Sequence, residues 1–157
     1  MDSDDLMRAA VEACRRGIAA GQSPFGAAVA DASGRIICAV HNRVRLTGDP
    51  TAHAEIVAIR EAAGLLGRID LTGCVIAATC EPCPMCSAAI HWARLDEVLF
   101  GATIADARDA GFNELAVPCA TLLGSGRSPV KVRAGVLRDE CRALFDAWRR
   151  GPRPEPY

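Results

Sequence analysis

Three short apolar runs in the second half of the chain are CVIAAT (74–79), EVLFGA (97–102) and VKVRAGV (130–136), and segments of helical pattern separate them. Each run has the length and the apolar content of a buried strand. Strands joined through helices pair in parallel, with right-handed crossovers. Such an order puts helices on both faces of one sheet. The first half adds a different unit, GAAVADASGRIICAVH. Its two apolar runs flank Ala32, Ser33 and Gly34, the pattern of a hairpin whose glycine takes a positive φ. The expectation is an α/β protein in three αβα layers: a mixed five-stranded sheet, with the hairpin adding an antiparallel strand.

Punctuation along the chain fills in the rest. Asp2 and Ser3 precede a helical pattern that runs to about residue 20, with Gly21 as its stop. Residues 42–50 are polar, carry Gly48, Asp49 and Pro50, and read as a loop. Thr51 is placed to N-cap a helix reaching about residue 65. Pro84 suits the first position of the next helix. Residues 105–110 read as a short helix or turn, 115–129 as a loop with Gly124, Gly126 and Pro129, and 138–150 as a last amphipathic helix. No repeat or linker interrupts residues 1–157, so a single domain is expected.

Composition narrows the class. Half of the 157 residues are hydrophobic and 24% are charged, enough to fold around a core. The net charge is −1, without the Lys/Arg excess of a nucleic-acid surface. No apolar run approaches the roughly 20 residues of a membrane span, and the N-terminus does not read as a signal peptide. A cytoplasmic protein is expected, where thiols stay reduced. Of the eight cysteines, Cys14, Cys38, Cys74, Cys119 and Cys141 lie scattered in apolar surroundings and read as buried thiols. Cys80, Cys83 and Cys86 are clustered and need another explanation.

The stretch TAHAEIVAIR (51–60) supplies one. Residues two apart in mid-helix point to nearly opposite sides, so His53 and Glu55 can converge only at a helix start. Cys83 and Cys86 lie three apart at another helix start, on one face. Alone, C-x-x-C is ambiguous between a redox pair, half of a zinc site and chance. Together the halves make H-x-E…P-C-x-x-C, the signature of zinc-dependent nucleobase deaminases. Zn²⁺ favours nitrogen and thiolate donors in a tetrahedron. His53, Cys83 and Cys86 provide three, and a catalytic site leaves the fourth position to water. Glu55 is then free to act as general acid and base. The competing reading is a closed, purely structural site in which Cys80 completes a Cys₃His set, leaving Glu55 without a task.

At these residues the chain resembles the cytidine-deaminase-like superfamily and, within it, the small bacterial guanine deaminases. The resemblance is carried by PFGAAV, the Asn42 region, DPTAHAEIVAIR, EPCPMC, IHWAR, DARDAGF and the closing AWRR…PY, in order along nearly the whole chain. DPTAHAE and EPCPMC are also similar to tRNA adenosine deaminases; GF after DARDA and the final Tyr157 lean toward guanine deaminase. The resemblance implies a zinc-dependent aminohydrolase acting on a small-molecule nucleobase, guanine first, with a cytosine-like or triazine base next and tRNA editing third. It further implies that Asn42 and the backbone N–H of Ala54 read the base, and that Phe25 and Trp92 wall the pocket. It implies a homodimer whose C-terminal segment, about 130–157, is exchanged, so that Glu114 and Tyr157 close the partner's pocket. At one place the chain departs from the family: GFNE stands at 111–114 where the family reads GFDD. If Glu114 replaces that aspartate, its carboxylate reaches about 1.5 Å further, which bears on the choice of base.

Overall fold

A computed structural model of the chain describes residues 2–157. Its elements in chain order are α1 (Ser3–Ala19), β1 (Gly26–Ala30), β2 (Ile36–His41), α2 (Val44–Thr47), α3 (Ala54–Leu66), β3 (Val75–Cys80), α4 (Pro84–Trp92), β4 (Glu97–Ala102), α5 (Ile104–Asp109), α6 (Cys119–Ser125), β5 (Lys131–Ala134) and α7 (Arg138–Arg149). The strands form one sheet in the order β2-β1-β3-β4-β5. β1 runs antiparallel to both β2 and β3, while β3–β4 and β4–β5 are parallel. This is the mixed five-stranded sheet expected, and the hairpin turns at Gly34, whose φ is 87°.

Alternate residues of the strands feed two cores. Ala27, Val29, Ile76 and Val98 pack with α3, α4 and α6 on one face. Ala28, Ala30, Ala77 and Leu99 pack with α1, α5 and α7 on the other. All five residues of β1 are buried, because helices cover it on both sides. Gly26 is the point of closest approach: a Cβ there would lie 2.3 Å from the Ala10 carbonyl oxygen of α1. Only glycine lets that helix settle so near the strand.

Two loop expectations are corrected. Residues 44–47 form the short α2, held from outside: the Val44 amide donates to Asn42 Oδ1 and the Leu46 amide to Gln22 Oε1. Residues 119–125 form α6, which buries Cys119 and Leu123 against the sheet despite Gly124. The start of α3 also shifts. Thr51 does not cap it; its amide and hydroxyl both donate to Asp49 Oδ1, and His53 is the N-cap. The last strand is shorter than its apolar run, covering four residues at the sheet edge. No helix among the described residues is long and apolar enough to cross a membrane.

Candidate active site

The carboxyl end of β3 and the first turns of α3 and α4 meet at one point. His53 is the N-cap of α3, with φ −61° and ψ 155°, and its side chain makes no capping bond. The imidazole is thereby released from helix duty. Cys83 caps α4 in the same extended conformation, Pro84 takes the first helical position, and Cys86 follows on the same turn. Ser87 locks that turn: its amide donates to the Cys83 carbonyl at 2.8 Å and its hydroxyl to the Pro82 carbonyl at 3.1 Å.

The Cys83 and Cys86 sulfurs stand 3.7 and 3.6 Å from His53 Nδ1. A tetrahedron with zinc–sulfur bonds of about 2.3 Å and a zinc–nitrogen bond of about 2.0 Å has nitrogen–sulfur edges of roughly 3.6 Å. All three donor atoms lie within 4.8 Å of one another. The spacing and the donor types therefore fit zinc. Cys80 is not part of this set; its thiol is directed to the Thr103 carbonyl at 3.5 Å, and burial holds it protonated. That leaves the structural four-ligand reading without its fourth ligand.

Electrostatics sort the donors. The Cys83 thiol is drawn down to about 4 by its hydrogen bond with Cys86, and His53 reinforces this against burial. The same bond, with burial, pushes the Cys86 thiol up. Burial lowers the basicity of His53, but its bond to Cys83 and the charges of Glu55, Cys83 and Glu114 outweigh that and raise it. Glu55, at the second position of α3, is buried and its carboxyl rises to about 7, chiefly from desolvation. Burial likewise raises Glu114, with the Cys83 charge adding to it.

The pocket is lined by Phe25, His53, Glu55, Glu81, Glu114 and Tyr157, among others. The space left in it is about 20 Å³, enough for roughly one water. Tyr157 accounts for that. The C-terminal tail returns to its own chain's pocket, and the Tyr157 ring lies edge-on to His53 and Phe112, centroids 6.1 and 6.0 Å apart. Its hydroxyl accepts a hydrogen bond from Asn42 Nδ2 at 2.9 Å. The Asn42 carboxamide is fully buried, and its oxygen is occupied by the Val44 amide. That second bond fixes the orientation, so Asn42 presents a donor toward the tail. Ala54 is buried as the first residue of α3, and its N–H has no partner within the helix. Phe25 packs edge-on to Phe112 at 4.9 Å and to Phe145 at 6.0 Å.

Trp92, expected to wall the pocket, lies outside it. It ends α4 with 79% of its surface exposed, and it lines a separate groove with His91 and Pro129. It lies about 1.7 turns along α4 beyond Cys86, the nearer cysteine of the cluster. That groove is larger, about 590 Å³, but shares no lining residue with the cluster. Glu81 lines the pocket without having been expected there, and Phe112 stands behind it against Phe25 and Tyr157. Glu81 precedes the ligand loop directly in EPCPMC, and Phe112 sits in the GF segment.

The profile of the cytidine and deoxycytidylate deaminase zinc-binding region matches residues 1–102. The chain is 43% identical over 115 residues to guanine deaminase of Bacillus subtilis (strain 168), covering 73% of each. It is 39% identical over 102 residues to the tRNA-specific adenosine deaminase of Aquifex aeolicus (strain VF5), covering 65% of this chain and 67% of that protein. Guanine deaminase from Nitrosomonas europaea superposes with a TM-score of 0.86 at 32% identity, over 94% of this chain and 84% of that one. The matched region carries His53, Glu55, Cys83 and Cys86 in the geometry described, and the chain thus belongs to the cytidine and deoxycytidylate deaminase family, as a zinc-dependent aminohydrolase.

Proposed function

We propose that this chain deaminates free guanine hydrolytically, giving xanthine and ammonia. One observation carries the reading: a buried carboxyl, Glu55, stands beside a three-donor metal site under a closed tail. His53 Nδ1 and the two cysteine sulfurs would hold zinc, which when bound would supply Lewis acidity and lower the pKa of water. Glu55 takes the proton from the attacking water. It delivers that proton to the ring nitrogen, then takes the second proton from the hydroxyl added to the ring carbon and passes it to the departing amine, a shuttle suited to a carboxyl poised near 7.

The other residues orient the base. Asn42 offers Nδ2 to a carbonyl oxygen, and the Tyr157 hydroxyl occupies that acceptor position when no base is bound. The free N–H of Ala54 reads the same ring. Phe25 supplies an apolar wall, backed by Phe112. Glu114 directs its carboxyl at the N–H edge that guanine presents. The tail supports a free base over a base within a strand, because a polynucleotide cannot be enclosed under it. It must swing aside to admit a purine, since about 20 Å³ holds none. The same lid contacts form in trans when two copies exchange tails, the arrangement proposed for a homodimer. All eight cysteines are free, as in a cytoplasmic protein.

The test is ammonia release by the zinc-loaded protein across guanine, cytosine, isocytosine, adenine, ammeline and guanosine. Guanine is expected to give the highest kcat/KM. A higher value for a pyrimidine or triazine would transfer the function to that base through the longer Glu114 arm.

A further inference from the structure

Glu81 accepts from the first amides of two helices, α5 and α6. It follows β3 directly, and its amide donates to the Ala102 carbonyl at 2.8 Å. One carboxylate oxygen accepts the amide of Ile104, the first residue of α5, at 3.1 Å. The other accepts the amide of Cys119, the first residue of α6, at 3.0 Å. Pro118, the N-cap of α6, makes no side-chain capping bond, so Glu81 does that work from another part of the fold.

The chain between those two amides carries Phe112 and Glu114. Its second half is weakly held. Within residues 113–118 the described amides donate only from Glu114 to the Phe112 carbonyl and from Val117 to the Leu115 carbonyl, each across two residues. Asn113, Leu115, Ala116, Val117 and Pro118 are exposed. Burial of Phe112 fixes the near end and the bond from Cys119 to Glu81 fixes the far end. Glu114 lies between them and faces the pocket.

We infer that Glu81 is a positioning residue: by tying the first amides of α5 and α6 to one carboxylate, it holds Glu114 at the pocket wall. The inference rests on the reading of that pocket as the base site. Glu81→Gln tests it, because a carboxamide keeps one acceptor and turns the other into a donor that an amide cannot use.

A double-mutant cycle on the zinc-loaded protein compares Glu81→Gln, Glu114→Gln, both and neither, with guanine. Glu81→Gln is expected to lower kcat/KM about tenfold with zinc content unchanged. In the Glu114→Gln background the same change is expected to cost less than about twofold. Equal losses in both backgrounds would overturn the inference, since a purely structural role does not pass through Glu114. Amide hydrogen exchange gives a second readout independent of turnover. Exchange across residues 113–119 is expected to accelerate in Glu81→Gln, and unchanged exchange there would overturn the tie itself. If the unmutated protein releases no ammonia from any base, the reading of the pocket fails, and the exchange result still decides the tie. Should Glu81→Gln not fold, Glu81→Asp, with both acceptors on a shorter arm, is put through the same cycle against the same criteria.

Discussion

Replacing Glu55 by Gln separates two consequences of one buried carboxyl. The substitution keeps shape and removes the ability to carry a proton. Loss of a positioned acid and base costs about 10²- to 10⁴-fold in kcat, while the His53, Cys83 and Cys86 donors are untouched, so zinc content is expected to stay near one per chain. The second consequence is in stability. The Glu55 carboxyl sits at about 7 against an ordinary 4.5, mainly because burial disfavours its charge. That difference corresponds to about 3 kcal/mol held against ionisation, as an upper estimate. A pKa raised by folding contributes stability below the ordinary glutamate value, and that contribution is lost as pH rises toward 7. In metal-free protein, urea unfolding should therefore show stability falling between about pH 4.5 and 7. Glu55→Gln should remove that slope and be more stable by up to about 3 kcal/mol at pH 8, with a difference of about 0.5 kcal/mol or less at pH 4. Equal stability of the two proteins at both pH values would refute the buried carboxyl. Retained turnover would refute its role in proton transfer.

Other perturbations follow from the same geometry. Cys83→Ser or Cys86→Ser should reduce bound zinc well below one per chain by elemental analysis; full retention would mean the donors are misassigned. Deleting residues 151–157 removes Tyr157 from Asn42 and should raise KM for guanine at least about tenfold; unchanged kinetics would show that the tail is no lid. Glu114→Asp restores the family's shorter arm and should raise guanine turnover relative to other bases in the same ammonia assay; no change in preference would separate Glu114 from base choice. Asp106 ties α5 to α7 by accepting from Arg138 and Arg142 while capping α5 with Thr103. Burial works against its charge, but the Thr103 and arginine contacts prevail and hold its carboxyl below the usual range. Its contribution is present above the ordinary aspartate value and is lost as pH falls through its folded value. Asp106→Asn should cost about 1 kcal/mol at neutral pH, with the difference shrinking in urea titrations as pH falls below the ordinary aspartate value; a pH-independent difference would contradict the pairing.

The sequence told most where local chemistry and the fold agree. Gly34 marks the hairpin because its φ of 87° suits glycine, and Pro84 marks α4 because a first-turn residue needs no amide donor. His53, Glu55, Cys83 and Cys86 were legible because zinc chemistry restricts which residue types serve it. Features sustained by distant contacts were not legible. α2 exists because Asn42 and Gln22 accept its amides, and α6 because Glu81 caps it and Leu123 has a core to enter. Both are too short to give a helical signal of their own, and glycines stand at or next to their ends. The role of Glu81 leaves no local signal for the same reason: its partners lie 23 and 38 residues away. Trp92 shows the converse: close to the cysteines in sequence, it is carried along α4 to an exposed position.

X-ray absorption at the zinc edge of the loaded protein tests the account most directly. It should show two sulfur neighbours at about 2.3 Å and two nitrogen or oxygen neighbours at about 2.0 Å. A shell of three sulfurs would bring Cys80 onto the metal, close the site and contradict the hydrolytic chemistry derived for it.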